Sequence, residues 1–414
     1  MRRLAIAASV GAALLIAPAA RAQSTQAVLA SAMRHAGASS GAYVLNATKK
    51  RVLFKSRPSV LRVLASNTKL FTTSAILAKL GAGASFATEL QSEGAAAPHN
   101  GVFRGDVYLH GGGDPTLGTS SFVNRYFGGR GAKIENLADA LAATGIAQIR
   151  GRIIGDESRF DALRGGPSSR FGFSSYLGAP LSALTFDHGL ANERGTAIQR
   201  NPPLFAAQRL RAALKARGIR VTRRPAAGDA PANARVLGSV RSPSLATIAR
   251  LQNKDSDNFF AEILLKDLAA ADGLRGTTRR GAAAAMAFAR RLGVRVQMSD
   301  GSGLSRGDRA APRQVVKLLD KMRNRNQEDF NALLDSLPVA GRDGTLRHRM
   351  RNGAARNRCH AKTGTLSDVS ALSGYCFSRG GDVIEFSLLM NRTNVLFARR
   401  VQDLMTNAMA AFTG

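Results

Sequence analysis

The chain has 414 residues, enough to bury a sizeable core without disulfide or metal staples. A hydrophobic share of 44% excludes a disordered chain, and two cysteines exclude a disulfide-dense scaffold or a four-cysteine zinc site. Lys and Arg number 59 against 28 Asp and Glu, so the formal net charge is +31, spread along the chain and not packed into one tail. Two readings of that charge stand: solvated surface charge from a compositional leaning towards Arg, or affinity for an anionic polymer. Aromatics at 6% and no Trp make a poor base-stacking platform, so an anionic cell-wall or envelope surface fits better than nucleic acid. The six histidines form no HxxxH or HExxH pattern, so no metal site is expected.

The N-terminus reads as an export signal. Arg2 and Arg3 form a basic head, Leu4 to Ala20 carries no charge, and Ala20-Arg21-Ala22 places small residues where a signal peptidase reads them. The expected signal peptide is residues 1–22. Cleavage before Gln23 removes Arg2, Arg3 and Arg21 and lowers the charge to +28. An uncleaved anchor fits less well, because the apolar run is short for a span of about 20 residues. A periplasmic protein is the expectation.

Residues 24–36 have the spacing of an amphipathic helix, and Gly41 to Lys55 reads as a hairpin. A helix is expected over Ser66 to Leu80, closed by the Gly-rich stretch Gly81–Ser85. Between 86 and 243, short apolar runs alternate with Gly, Pro and Asp turns, interrupted by a helix over Ala206 to Gly218; this predicts a mixed, strand-rich inserted domain. The flanking stretches, 23–85 and 244–414, would then form one discontinuous domain. Helical spacing returns over Leu245–Leu251, Asn258–Ala270, Thr277–Leu292 and Pro312–Arg323. A meander follows over Arg358–Gly364, Ala371–Phe377 and Val383–Met390, then a helix over Phe397–Phe412. In the third meander strand, Ile384, Phe386, Leu388 and Met390 share one face, with Glu385 and Ser387 opposite. Cys359 and Cys376 are centred on a turn between Ser367 and Asp368, so they could face each other as a disulfide or remain two buried thiols.

Three short motifs carry chemistry. Ser66-Asn67-Thr68-Lys69 puts a hydroxyl and an amine on one helix face near the amide donors of a helix start. For Lys69 to take the proton of Ser66, burial or a nearby cation must lower its pKa from about 10.4. Ser256-Asp257-Asn258 reads either as a helix cap or as a loop in which Ser256 relays protons and Asn258 holds a substrate carbonyl. Lys362-Thr363-Gly364 reads either as an exposed edge strand or as a substrate rail. In the second reading Lys362 holds an anion, Thr363 bonds a carboxylate, Gly364 leaves room, and the amide of Thr365 faces that of Ser66 as an oxyanion hole. Each motif alone is weak. Together, in this order, they are the set of active-site serine penicillin-recognising enzymes.

Further stretches narrow the resemblance: Gly112-Gly113-Asp114-Pro115-Thr116-Leu117, Lys254 to Glu262, Asp300-Gly301-Ser302-Gly303-Leu304-Ser305-Arg306, Leu337 to Gly341, Asp343-Gly344-Thr345-Leu346 and His360 to Leu366. With them the mature chain resembles the D-alanyl-D-alanine carboxypeptidases/endopeptidases of low-molecular-mass class C, the peptidase S13 family. The separation of 190 positions from Ser66 to Ser256 agrees with that class, which inserts an extra domain there. The resemblance implies an α+β fold: a serine β-lactamase/transpeptidase-like domain, with an antiparallel five-stranded sheet packed with helices, and the strand-rich insertion. It also implies a D,D-peptidase acting on peptidoglycan stem peptides through an acyl-enzyme on Ser66. Lys69, Ser256, Asn258 and Lys362 would assist, β-lactams would be covalent inhibitors, and no metal or cofactor would be needed. Asp114 and Arg306 are carried over as substrate-binding candidates, Asp114 for a free amino end of the stem peptide. The competing readings are a β-lactamase or esterase on the same scaffold and a non-catalytic, basic envelope-binding protein.

Overall fold

A computed structural model describes residues 24–93 and 100–414. The expected signal peptide, residues 1–22, lies outside the described residues. Among those described, no helix is long and apolar enough to cross a membrane.

The two ends of the chain build one sheet. Its strand order is Cys359–Leu366, Val369–Phe377, Val383–Asn391, Ser40–Asn46, Arg51–Ser56, antiparallel throughout. The expected C-terminal meander thus continues into the expected N-terminal hairpin. One face packs under the helices Thr25–His35 and Val395–Ala410, burying Leu29, Met33, Val44, Phe386, Leu388 and Met405. The other face packs under Pro312–Arg323 and the helical bundle. Both faces are therefore dry, which corrects the simple division of the third meander strand. Ile384, Phe386, Leu388 and Met390 do share a face, but Glu385 opposite them is also buried, paired with Arg323 at 2.8 Å. Burial pushes the Glu385 carboxyl up to about 7 against that pairing.

Cys359 and Cys376 are directly opposed in the register of the first two strands, joined by a turn at Ser367–Asp368. They form a disulfide, so the alternative of two free thiols does not hold.

The helix Thr68–Leu80 runs through the bundle, with every residue from Thr68 to Leu77 buried, as its near-continuous apolar and small-polar composition requires. Around it lie Leu245–Asp255, Asn258–Ala270, Thr278–Arg291 and Gln327–Ser336, the last not foreseen from the sequence.

Residues 87–241 combine strands with three helices. They carry a mixed sheet in the order Ala226–Ala227, Ile153–Asp156, Val107–His110, Ala87–Ser92, Arg235–Arg241. Beside it lies a small parallel sheet of Val102–Arg104, Gln148–Arg150 and Arg220–Val221. Helices Ile134–Ala142 and Pro202–Ala216 cover them, while Ser120–Phe127 buries Phe122, Val123 and Phe127 in the core of the helical bundle; only Pro202–Ala216 was expected, four residues later at its start. The parallel pairs need such covering helices. A separate apolar core results, including Leu90, Phe103, Leu109, Leu137, Ile149 and Leu210. The antiparallel pairing of Ala87–Ser92 with Arg235–Arg241 brings the chain back beside its point of departure.

Candidate active site

Ser66 sits in a 3-10 turn, Ala65–Asn67, that leads into Thr68–Leu80, one turn earlier than a regular helix start. Ala65 is fully buried and held at φ +46°, a left-handed conformation that costs a non-glycine residue energy. The turn is over-determined by its neighbours. Leu64 donates its amide to Asp308 O, and Asn67 Nδ2 donates to Lys362 O at 2.9 Å, tying the serine to the Cys359–Leu366 strand. Gly303, at φ +86°, lies beneath it; a Cβ there would fall 1.9 Å from Ala65 O and 3.0 Å from Ser66 N. A Cβ on Gly364 would fall 2.8 Å from Leu64 O and 3.1 Å from Ser66 N. Both glycines let backbone approach backbone at the serine.

Lys69 is fully buried one turn on, and its Nζ is 3.1 Å from Ser66 Oγ. It also donates to Asn258 Oδ1 at 2.6 Å and to Ser302 O at 2.7 Å. All three contacts are uncharged. Desolvation lowers the Lys69 pKa to about 8, against the opposing pull of Asp257, Asp300, Glu262 and Asp308, none of which is its hydrogen-bond partner. Lys362, also fully buried, donates to Ser256 Oγ at 2.8 Å and to Thr363 O at 3.1 Å. Desolvation, with the Lys69 cation second, pushes it well below the usual lysine range.

The Ser256–Asn258 segment is both a cap and a loop. Ser256 ends Leu245–Asp255 in the left-handed region at φ +59°, and Asp257 caps Asn258–Ala270 by accepting from Phe260 N at 2.9 Å. The other Asp257 oxygen bonds His188 Nε2 at 2.9 Å. Burial and the His188 pairing act oppositely on Asp257, which ends below the ordinary carboxylate range. Asn258 uses both ends of its amide: Oδ1 on Lys69 and Nδ2 on the carbonyl of Tyr176. Thr363 Oγ1 lies 2.8 Å from Thr345 Oγ1, and Thr365 Oγ1 accepts from Arg399 at 3.2 Å.

Ser66, Lys69, Ser256, Asn258, Lys362, Thr363, Gly364 and Thr365 therefore converge on the end of one strand and the starts of two helices. Asp114 does not join them. It is 1% exposed, and its Oδ1 accepts from both the amide and the hydroxyl of Thr116 at 2.7 Å. The carboxylate closes its own Gly-Asp-Pro turn through Oδ1, while Oδ2 is buried without a hydrogen-bond partner among the described residues. Arg306 is half-exposed and bonds Ser367 and Asp368 at the tip of the hairpin, past Thr365 and Leu366, without a hydrogen bond to the serine–lysine cluster.

Several participants escaped the sequence reading. Ser302 and Tyr176 act through backbone carbonyls, which leave no residue-type signature. His188 is a lone histidine with no motif. Thr345, within Asp343-Gly344-Thr345-Leu346, carries no local spacing signal that would link it to Thr363.

A half-buried serine is thus bonded to a buried amine of lowered pKa, with a second lysine–serine pair opposite. The chain belongs to the D-Ala-D-Ala carboxypeptidase 3 (S13) family, whose model matches residues 22–199 and 191–412. It is 28% identical to the D-alanyl-D-alanine carboxypeptidase of Actinomadura sp. (strain R39), over 91% of this chain and 82% of that one. It is 29% identical to carboxypeptidase DacB of Mycolicibacterium smegmatis, over 69% of this chain and 64% of that one. The fold is that of penicillin binding protein 4 (dacB) from Haemophilus influenzae, with a TM-score of 0.77 at 20% identity over 93% of this chain and 99% of that one. Among the described residues no cluster of three or more His, Cys, Asp or Glu is arranged to hold a metal.

Proposed function

We propose that this protein is a periplasmic serine D,D-peptidase that hydrolyses D-Ala-D-X bonds of peptidoglycan stem peptides through an acyl-enzyme on Ser66. The observation that carries the reading is the 3.1 Å approach of a buried, uncharged-partnered Lys69 amine to Ser66 Oγ. With a pKa of about 8, roughly a tenth of Lys69 is neutral at pH 7. The neutral amine takes the Ser66 proton as Oγ bonds the scissile carbonyl carbon. The amides of Ser66 and Thr365 stabilise the oxyanion. The C–N bond breaks as a proton passes to the leaving amine through Ser256 and Lys362, which are 2.8 Å apart. Water then hydrolyses the ester and restores Ser66. A substrate carboxylate beside Thr363 would raise the depressed Lys362 pKa, so ligand binding and protonation of Lys362 reinforce each other. Residues 86–243 form, in this reading, a domain inserted into the catalytic one, and β-lactams acylate Ser66.

The direct test is incubation of the mature protein with a D-Ala-D-Ala-terminated stem pentapeptide and with a cross-linked peptide dimer. Release of D-Ala from the first, cleavage of the second, or both, supports the reading. Neither product, from a protein that still binds cell wall, would favour a non-catalytic envelope binder.

A further inference from the structure

Asn258 contacts Lys69 directly; Glu262, four residues on and on the same face of Asn258–Ala270, has no part in the mechanism above. Glu262 is 1% exposed, an expensive place for a carboxyl group. Its Oε1 accepts from the amides of Gly301 (3.0 Å) and Ser302 (2.8 Å), while its Oε2 is buried without a partner. Those amides belong to the turn whose Ser302 carbonyl accepts from Lys69 Nζ at 2.7 Å. From the opposite side, Thr72 Oγ1 donates to Gly301 O at 2.8 Å, and Asp300 Oδ1 accepts from Gly303 N at 2.7 Å. The turn has no slack: a Cβ on Gly301 would fall 2.5 Å from Ala261 O, and one on Gly303 would strike Ala65 O. The Ser302 carbonyl lies in the peptide whose N–H, that of Gly303, is held by Asp300; Glu262 holds the two peptides just before it and so acts on that carbonyl through the seating of the whole turn.

That direction matters for proton transfer. A neutral amine has two N–H groups and one lone pair. Lys69 Nζ meets two fixed carbonyl acceptors, Asn258 Oδ1 and Ser302 O, and one hydroxyl, Ser66 Oγ. When both carbonyls are occupied by N–H, the lone pair is left for the Ser66 proton. We infer that Glu262 is a positioning residue for the reaction: by seating the Gly301–Ser302 amides it aims the Ser302 carbonyl at Lys69 and so turns the amine lone pair towards Ser66. The inference rests on the function proposed above.

The charge of Glu262 acts in parallel with Asp257, Asp300 and Asp308, which also raise Lys69 towards its ordinary value, whereas Lys362 is the cation facing the cluster. Desolvation and Asp300 push Glu262 itself up to about 7, so its charge is felt most above neutral pH. Removing the charge while keeping the acceptor should therefore move the proton loss of Lys69 to lower pH.

The test is the rate of acylation of Ser66 by a fluorescent penicillin, measured against pH, for wild type, Glu262→Gln and Glu262→Ala, with the melting temperature of each. Glu262→Ala should lose about 10²-fold in rate from misplacement of the lysine acceptor. Glu262→Gln should recover most of that loss, with its rising limb displaced to lower pH, since the glutamine carbonyl can still accept both amides. If both variants acylate at the wild-type rate with the wild-type profile, the inference is overturned. It is also overturned if Glu262→Gln stays folded yet is as slow as Glu262→Ala. Failure of wild type itself to acylate would instead overturn the proposed function.

Discussion

One helix, Asn258–Ala270, buries a lysine at each end of the molecule's chemistry and treats the two in opposite ways. At its N-terminal end, Lys69 meets only a hydroxyl and two carbonyls. Further along, Lys266 is equally inaccessible but is bonded to the Asp161 carboxylate and to Leu163 O, both from the 87–241 segment. Its neighbour Asp267 is paired in turn with Arg159 of that segment at 3.2 Å. Burial depresses both lysines, and at Lys266 the directly bonded Asp161 is the chief opposing influence. A lysine that must shed its proton is given neutral partners at contact distance, with carboxylates kept behind backbone amides. A lysine that joins two parts of the fold is given a carboxylate.

The sharpest way to break this comparison is to exchange each lysine for Met, which has similar volume and no charge. Lys69→Met should slow acylation of Ser66 by about 10²–10⁴-fold, the usual worth of a general base. It should leave the fold intact, because it removes a buried ammonium that has no ion-pair partner at contact. Lys266→Met should do the reverse, acylating at a rate close to wild type but losing roughly 1–3 kcal/mol of stability in urea titration. The lower figure reflects Asp161, whose side chain is 19% exposed and can be rehydrated. A stability loss at Lys69 larger than at Lys266 would contradict the distinction.

The pH dependence of stability sharpens it further. The folded pKa of Lys69, about 8, lies below its unfolded value near 10.5. Between those values the unfolded chain holds more protons, so this group makes stability rise with pH across that window and costs stability below it. The stability difference between wild type and Lys69→Met should therefore change in favour of wild type as pH rises from about 8 to 10, as read by urea midpoints. A difference independent of pH would mean that Lys69 is not depressed. The smallest effect belongs to Arg306. Its pair with Asp368 is solvent-exposed on both sides, so Arg306→Ala should shift stability by less than about 1 kcal/mol.

Legibility in the sequence followed the kind of signal each residue left. The serine–lysine, Ser-Asp-Asn and Lys-Thr-Gly positions could be picked out because they are side chains at fixed local spacing, and the helices around them follow a simple periodicity. The Cys359–Cys376 register followed from counting outwards from one turn. Asp114 was not resolvable from sequence because a Gly-Asp-Pro run has the same appearance whether its carboxylate faces a ligand or closes a turn; in the fold its Oδ1 bonds Thr116. The helices Ser120–Phe127 and Ile134–Ala142 were missed because they span 8 and 9 residues between glycine-rich connections, too short for periodicity to outweigh turn signals. Ser302 was invisible for a different reason: its contribution is a backbone carbonyl, in a turn held by Asp300 and by Glu262, which is far away in sequence.

The central claim is that Ser66 is a nucleophile activated by Lys69. The most direct measurement is a time course of intact mass for the mature protein with a penicillin, beside Ser66→Ala. One persistent adduct on wild type and none on the variant is the predicted result. An adduct on both proteins, or on neither, would contradict it, and an adduct that forms and vanishes with rapid drug hydrolysis would replace the peptidase by a β-lactamase on the same scaffold.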